Sequence, residues 1–137
     1  MPAPTVARIA ALIDHTILKA EATRSDIDAL CAEARELEFA AVCVNPVWVP
    51  FCRDSLADAP SLVATVVAFP LGASESATKV AETALAVSEG ADELDMVAAI
   101  GHIKSGDWMH VERDIEAVVG AADGRIVKVI IESAVLT

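Results

Sequence analysis

The sequence predicts an α/β protein built on a parallel sheet, and three observations carry that prediction. Short runs rich in β-branched residues recur along the chain, and their near-continuous hydrophobicity suits strands covered on both faces. Longer segments with helical periodicity lie between them. The strand starts are roughly 22–33 residues apart, the size of one βα unit.

Taken in order, a short helix is expected over about Val6–Leu12, followed by a first strand over Ile13–Leu18. Thr23 can cap a helix over Arg24–Glu38, with Asp26 and Asp28 in its first turn. Ile27, Leu30, Cys31, Ala34 and Leu37 form its apolar stripe by their i, i+3, i+4, i+7 spacing. The second strand is Ala40–Val44, and a helix over Val47–Ala57 follows with Pro46 tolerated at its start. Leu62–Phe69 reads as the third strand. The next helix covers about Glu75–Ser88, capped by Ser74 and closed by Gly90. Glu93–Val97 is the fourth strand. A helix over about Asp107–Ala122, with Gly124 just after it, leads to the fifth strand at Ile126–Ile131.

Residues 1–137 therefore read as a single α/β domain with right-handed crossovers. Two architectures fit. Five strands can complete an open doubly wound parallel sheet, or they can be the first five βα-type units of an eight-stranded TIM barrel. The sequence stops at Thr137 without a helix to cover the last strand, which favours a barrel truncated after strand five.

Composition narrows the function. A hydrophobic fraction of 55% rules out intrinsic disorder, and aromatics at 4% leave the core to Ala, Val, Ile and Leu. The net charge of -11 repels phosphate backbones, so no nucleic-acid partner is expected. Met1–Thr5 carries no positive targeting region, and the longest charge-free run, Ala59–Ser74, is broken by Pro60 and Pro70. No membrane partner is expected. Cys31, Cys43 and Cys52 are odd in number and lack CxxC spacing, which suits free thiols in a cytoplasmic protein.

Polar residues inside strands carry the chemistry, because burying them without a partner is costly. Asp14 sits in the first strand, Asp95 in the fourth, and Lys128 and Glu132 in the fifth. Alternation puts Glu93, Asp95 and Val97 on one face of their strand, and Lys128, Ile130 and Glu132 on one face of theirs. In a barrel Asp95 and Lys128 meet inside, either as a structural ion pair or as an acid–base pair with shifted pKa values. His15 reads as a packed or hydrogen-bonded residue. His102 and His110 read as solvent-facing, and no histidine pair has i, i+4 or HxH spacing, so no metal site is expected. Cys43 reads as a small core residue. GxGxxG, GxxxxGK[ST] and GxSxG are absent, so a dinucleotide-binding or P-loop reading has no support.

Five segments, in order, resemble the deoxyribose-phosphate aldolase family of class I aldolases. They are Ile13–Lys19 followed by Ala22 and Thr23, Val42–Pro46, Val66–Gly72, Gly90–Val97 and Val127–Glu132. The resemblance implies a (β/α)8 barrel. It implies reversible cleavage of 2-deoxy-D-ribose 5-phosphate to acetaldehyde and D-glyceraldehyde 3-phosphate through a lysine Schiff base, with no cofactor and no metal. By the same match Asp95 is the catalytic proton carrier. Asp14, Cys43 and Lys128 match polar or pocket-lining positions, with Lys128 depressing a neighbouring amine's pKa. The family's Schiff-base lysine lies in a Lys-Thr-Ser-Thr-Gly-like segment on the sixth strand. None of the four lysines here, Lys19, Lys79, Lys104 and Lys128, sits in such a segment.

Two further readings stand beside the aldolase one: an inactive half-barrel, and an open-sheet binding domain. In the half-barrel reading the two free strand edges and an apolar concave face, with Val44, Val67 and Ile130 on it, drive the chain to a homo-oligomer.

Overall fold

Runs such as Ala41–Val44 and Leu62–Val67 offer apolar side chains to both faces, so they are stable only with cover on each. The computed structural model, which describes residues 5–136, supplies that cover with helices on one side and a curled sheet on the other. The elements are α1 (Val6–Ala10), β1 (Asp14–Ile17), α2 (Arg24–Leu37), β2 (Ala41–Val44), α3 (Val49–Ser55) and β3 (Leu62–Val67), then α4 (Ser76–Ser88), β4 (Glu93–Val97), α5 (Ile100–Lys104), α6 (Trp108–Ala121) and β5 (Ile126–Ile130).

All four strand pairings are parallel, and the sheet order is β1-β2-β3-β4-β5. Sequential order decides between the two predicted architectures. A doubly wound sheet reverses its order at a switch point, whereas a barrel adds each strand beside the last. This sheet is an arc of a barrel.

Alternation sorts the two faces. Val42, Val44, Val63, Val67, Leu94 and Met96 join α2, α3 and α6 residues in the main apolar core. Ala41, Cys43, Ala64 and Val66 form a smaller cluster on the concave side. Val44 and Val67, expected on the concave face, instead face the helices and are fully buried. Ile130 keeps its expected place on the Lys128 face, half-buried, while the small concave residues Ala41, Cys43, Ala64 and Val66 are buried. The outer edges of β1 and β5 remain unpaired among the described residues.

Local chemistry explains most boundaries. Thr23 caps α2 reciprocally: its hydroxyl accepts from Asp26 N–H at 3.3 Å, and the Asp26 carboxylate accepts from Thr23 N–H at 2.7 Å. Leu37, expected in the buried stripe, ends it exposed. The predicted helix from Val47 starts as a 3-10 turn over Pro46–Trp48 before α3. Pro50 accounts for this, since it has no N–H to give to the carbonyl four residues earlier. α4 is capped by Glu75 rather than Ser74 and takes no side-chain bond there. Periodicity missed α5, which is only five residues long.

The turn after β3 needs a glycine. Gly72 has φ +64°, and a Cβ there would collide with the Ala98 carbonyl at the end of β4. Left-handed backbone costs a β-carbon-bearing residue of order 1 kcal/mol, and the collision adds to it. Gly72→Ala is expected to destabilise the fold by ~2 kcal/mol or more, read as a fall in Tm.

Candidate active site

The concave face carries charge where an ordinary barrel interior carries aliphatic side chains. Parallel register sets Asp95 of β4 opposite Lys128 of β5 and Glu93 opposite Ile126. Lys128 Nζ lies 3.1 Å from Asp95 Oδ1, 3.0 Å from Glu93 Oε2 and 2.6 Å from Asp14 Oδ2. The last contact measures the curvature. Asp14 is on β1, four strand spacings from β5, or about 19 Å along a flat sheet at ~4.8 Å per strand. A lysine side chain cannot span that distance, so the sheet must curl until the two strands face each other.

Cys43 of β2 completes the cluster, with Sγ 3.9 Å from Asp95 Oδ2. Burial, reinforced by the Asp95 charge, pushes its thiol up to about 12, so it stays protonated and is no nucleophile. Burial also raises the Asp95 pKa. Lys128 opposes that rise, while the Asp14 and Glu93 charges add to it. For Lys128, burial works against the charge, but the Asp14, Glu93 and Asp95 carboxylates around it outweigh burial and the pKa rises. Lys128 is thus held as a cation. One carboxylate oxygen, Asp95 Oδ1, is buried and takes no aligned hydrogen bond; its approach to Lys128 is a charge contact.

The family profile of the DeoC/LacD aldolases matches residues 8–137. The chain belongs to that family. It is 53% identical over 125 residues to deoxyribose-phosphate aldolase from Streptococcus uberis, covering 91% of this chain and 57% of that protein. It is 55% identical over 124 residues to deoxyribose-phosphate aldolase 1 from Staphylococcus aureus, covering 90% and 56%. The chain thus spans just over half the length of these curated relatives. Among solved structures, a Coccidioides immitis protein provisionally named deoxyribose-phosphate aldolase superposes with a TM-score of 0.96 at 43% identity, over 100% of this chain and 54% of that one. The tetrameric deoxyribose phosphate aldolase from Aeropyrum pernix gives 0.86 at 28% identity, over 95% and 55%.

The four residues that the family resemblance singled out, Asp14, Cys43, Asp95 and Lys128, stand together on one face. Glu93 joins them; its place on the Asp95 face was the available signal. Glu132 lies beyond β5 in left-handed backbone and forms no ion pair with Lys128 among the described residues. His15 lies apart, its Nε2 2.6 Å from Glu33 Oε2 and its ring against Phe39.

Two groupings were not foreseen. Lys79 of α4 and Asp114 of α6 form a fully buried ion pair at 2.6 Å. Each sits on its helix's apolar stripe, Lys79 with Thr83 and Ala86 and Asp114 with Val111 and Val118. A charged residue at such a position was a readable sign. His102, expected to face solvent, is exposed and His110 is half-buried, and the two rings stack with centroids 3.6 Å apart. Spacing rules written for one helix or strand miss a pair assembled by the turn between α5 and α6.

Proposed function

We propose that the complete protein is a class I aldolase that makes and breaks the carbon–carbon bond of 2-deoxy-D-ribose 5-phosphate. Family membership supports the reaction class. The observation that carries the site assignment is Asp95: a carboxylate whose pKa burial raises, beside a fixed cation on the concave face.

The chemistry follows from that arrangement. A lysine amine adds to the substrate aldehyde and water leaves, giving an iminium. The C3 hydroxyl gives up its proton as the C2–C3 bond breaks. The bonding pair flows into the iminium and leaves an enamine, releasing D-glyceraldehyde 3-phosphate. The enamine is protonated at C2 and hydrolysed to acetaldehyde. Asp95, through water, takes and returns these protons. Lys128 holds the negative charge of the carboxylates in place, and Asp14 and Cys43 line the pocket.

Lys128 is not the Schiff-base lysine in this reading. A nucleophilic amine needs a lowered pKa, and three carboxylates raise this one. Residues 1–137 alone are therefore proposed to lack turnover. The test is a deoxyribose 5-phosphate cleavage assay with borohydride trapping, run on this chain and on a full-length relative. The expected result is trapping at a lysine of the relative outside the matched region, and none here. A trapped adduct at Lys128 with turnover overturns the assignment.

Self-association belongs to the same proposal. The unpaired β1 and β5 edges, with Ile126 and Ile131 exposed beside them, support it. Sedimentation of the purified chain reports it, and a dilution-stable monomer refutes it. The three cysteines are free and buried, which supports a reducing, cytoplasmic setting. No helix among the described residues is long and apolar enough to cross a membrane.

A further inference from the structure

We propose that His102, Asp107 and His110 form a binding site for one divalent transition-metal ion of the zinc class. The site is separate from the carboxylate–lysine cluster and does not depend on the aldolase reading. His102 lies on α5, Asp107 caps α6, and His110 is in the first turn of α6. The chain reverses at Gly106 and lays one imidazole over the other, with ring planes 11° apart. One donor atom from each of the three residues lies within 4.8 Å of the other two.

Donor chemistry selects the metal. Two imidazoles and one carboxylate suit Zn2+, Co2+ or Ni2+, whereas Mg2+ and Ca2+ take oxygen donors. Bonds of about 2.0–2.1 Å to a tetrahedral ion put ligand atoms about 3.3 Å apart. His102 Nδ1 and Asp107 Oδ2 already stand 3.1 Å apart. The remaining closure is small, and His102 and Asp107 are exposed enough to make it by side-chain rotation. Asp107 can keep its cap, because Oδ1 accepts from His110 N–H while Oδ2 faces the imidazole. Neither ring nitrogen of His110 has a hydrogen-bond partner among the described residues, so its lone pair is available.

An independent feature supports a ligand here. Both imidazoles line a cavity of about 290 Å3 formed by the loops after β3 and β4, which Gly72, Ser74 and Glu75 also line. Three protein donors leave a fourth position on the ion for water, and the cavity provides room for it.

The experiment titrates the purified protein with Zn2+ against a chromophoric chelator, and with Co2+ while following its visible absorption. One equivalent is expected to bind, with a rise in Tm from ligation of the folded state. His102→Gln, His110→Gln and Asp107→Asn are each expected to weaken binding about tenfold or more, on the scale of lost coordination. Asparagine keeps the helix cap, and circular dichroism confirms that each variant folds. His15→Gln, remote from the site, is expected to bind as the parent does. Absence of stoichiometric binding in the parent, or undiminished binding in the folded His102→Gln/His110→Gln double variant, overturns the proposal.

Discussion

Asp95→Asn in a full-length enzyme of this family is expected to lower turnover by ~10²-fold or more, the usual scale for losing an acid–base group. The amide keeps the shape of the carboxylate and its place opposite Lys128, but can neither take nor return a proton. Lys128 retains Asp14 at 2.6 Å and Glu93 at 3.0 Å, so the cation is not orphaned. The pH profile sharpens the test. In the proposed role Asp95 works as a carboxylate, and its pKa stands above the ordinary 3.8. Activity is therefore lost as pH falls, and the acid limb is displaced upward from where an unperturbed aspartate would put it. Asp14→Asn removes a negative charge that raises the Asp95 pKa, so it moves that limb to lower pH. Stability runs the opposite way. A raised folded-state pKa favours folding below pH 3.8, and the contribution is lost as pH rises through the raised value. At neutral pH, Asp95→Asn is thus expected to melt no lower than the parent. Full turnover in the variant, or an unmoved limb in Asp14→Asn, sinks the catalytic assignment.

The strands were legible because parallel-sheet sequences are apolar on both faces, and that signal survives without any knowledge of neighbours. β4 matches its expected span residue for residue. The site was partly legible for a related reason. Asp95 and Lys128 are polar residues in strands that otherwise exclude them, and in-register parallel pairing brings them together. What failed was information held only in three dimensions. Alternation showed that Val44 and Cys43 point to opposite faces but not which face met the helices, and Val44 was assigned to the wrong one. The Asp14–Lys128 contact, across 114 residues, depends on curvature that no local pattern encodes. The meeting of His102 and His110 depends on a two-helix turn whose first helix is too short for periodicity to detect.

Lys79→Met is expected to be the most damaging single change to stability, at about 3–5 kcal/mol. Lys79 and Asp114 are 0% and 1% exposed, so neither charge has water to fall back on. Their attraction alone would not offset the desolvation of both ions. The remaining hydrogen bonds close the gap. Lys79 Nζ also donates to the Val97 carbonyl at 3.1 Å, and Ser76 Oγ donates to Asp114 Oδ1 at 2.6 Å. The pair ties α4 to α6 and anchors the last residue of β4, two positions beyond Asp95. With methionine at position 79, Asp114 keeps one donor and no counter-charge, and the Val97 carbonyl loses its partner. The double variant Lys79→Met/Asp114→Leu removes both charges and fills their volume with apolar atoms. It is expected to recover most of the loss, because an apolar replacement of a whole buried pair is often neutral or better. Urea denaturation of the parent, both single variants and the double variant measures the coupling directly. A double variant as unstable as the sum of the singles would show that the two charges do not act on each other. The cost would then lie in the Val97 and Ser76 hydrogen bonds.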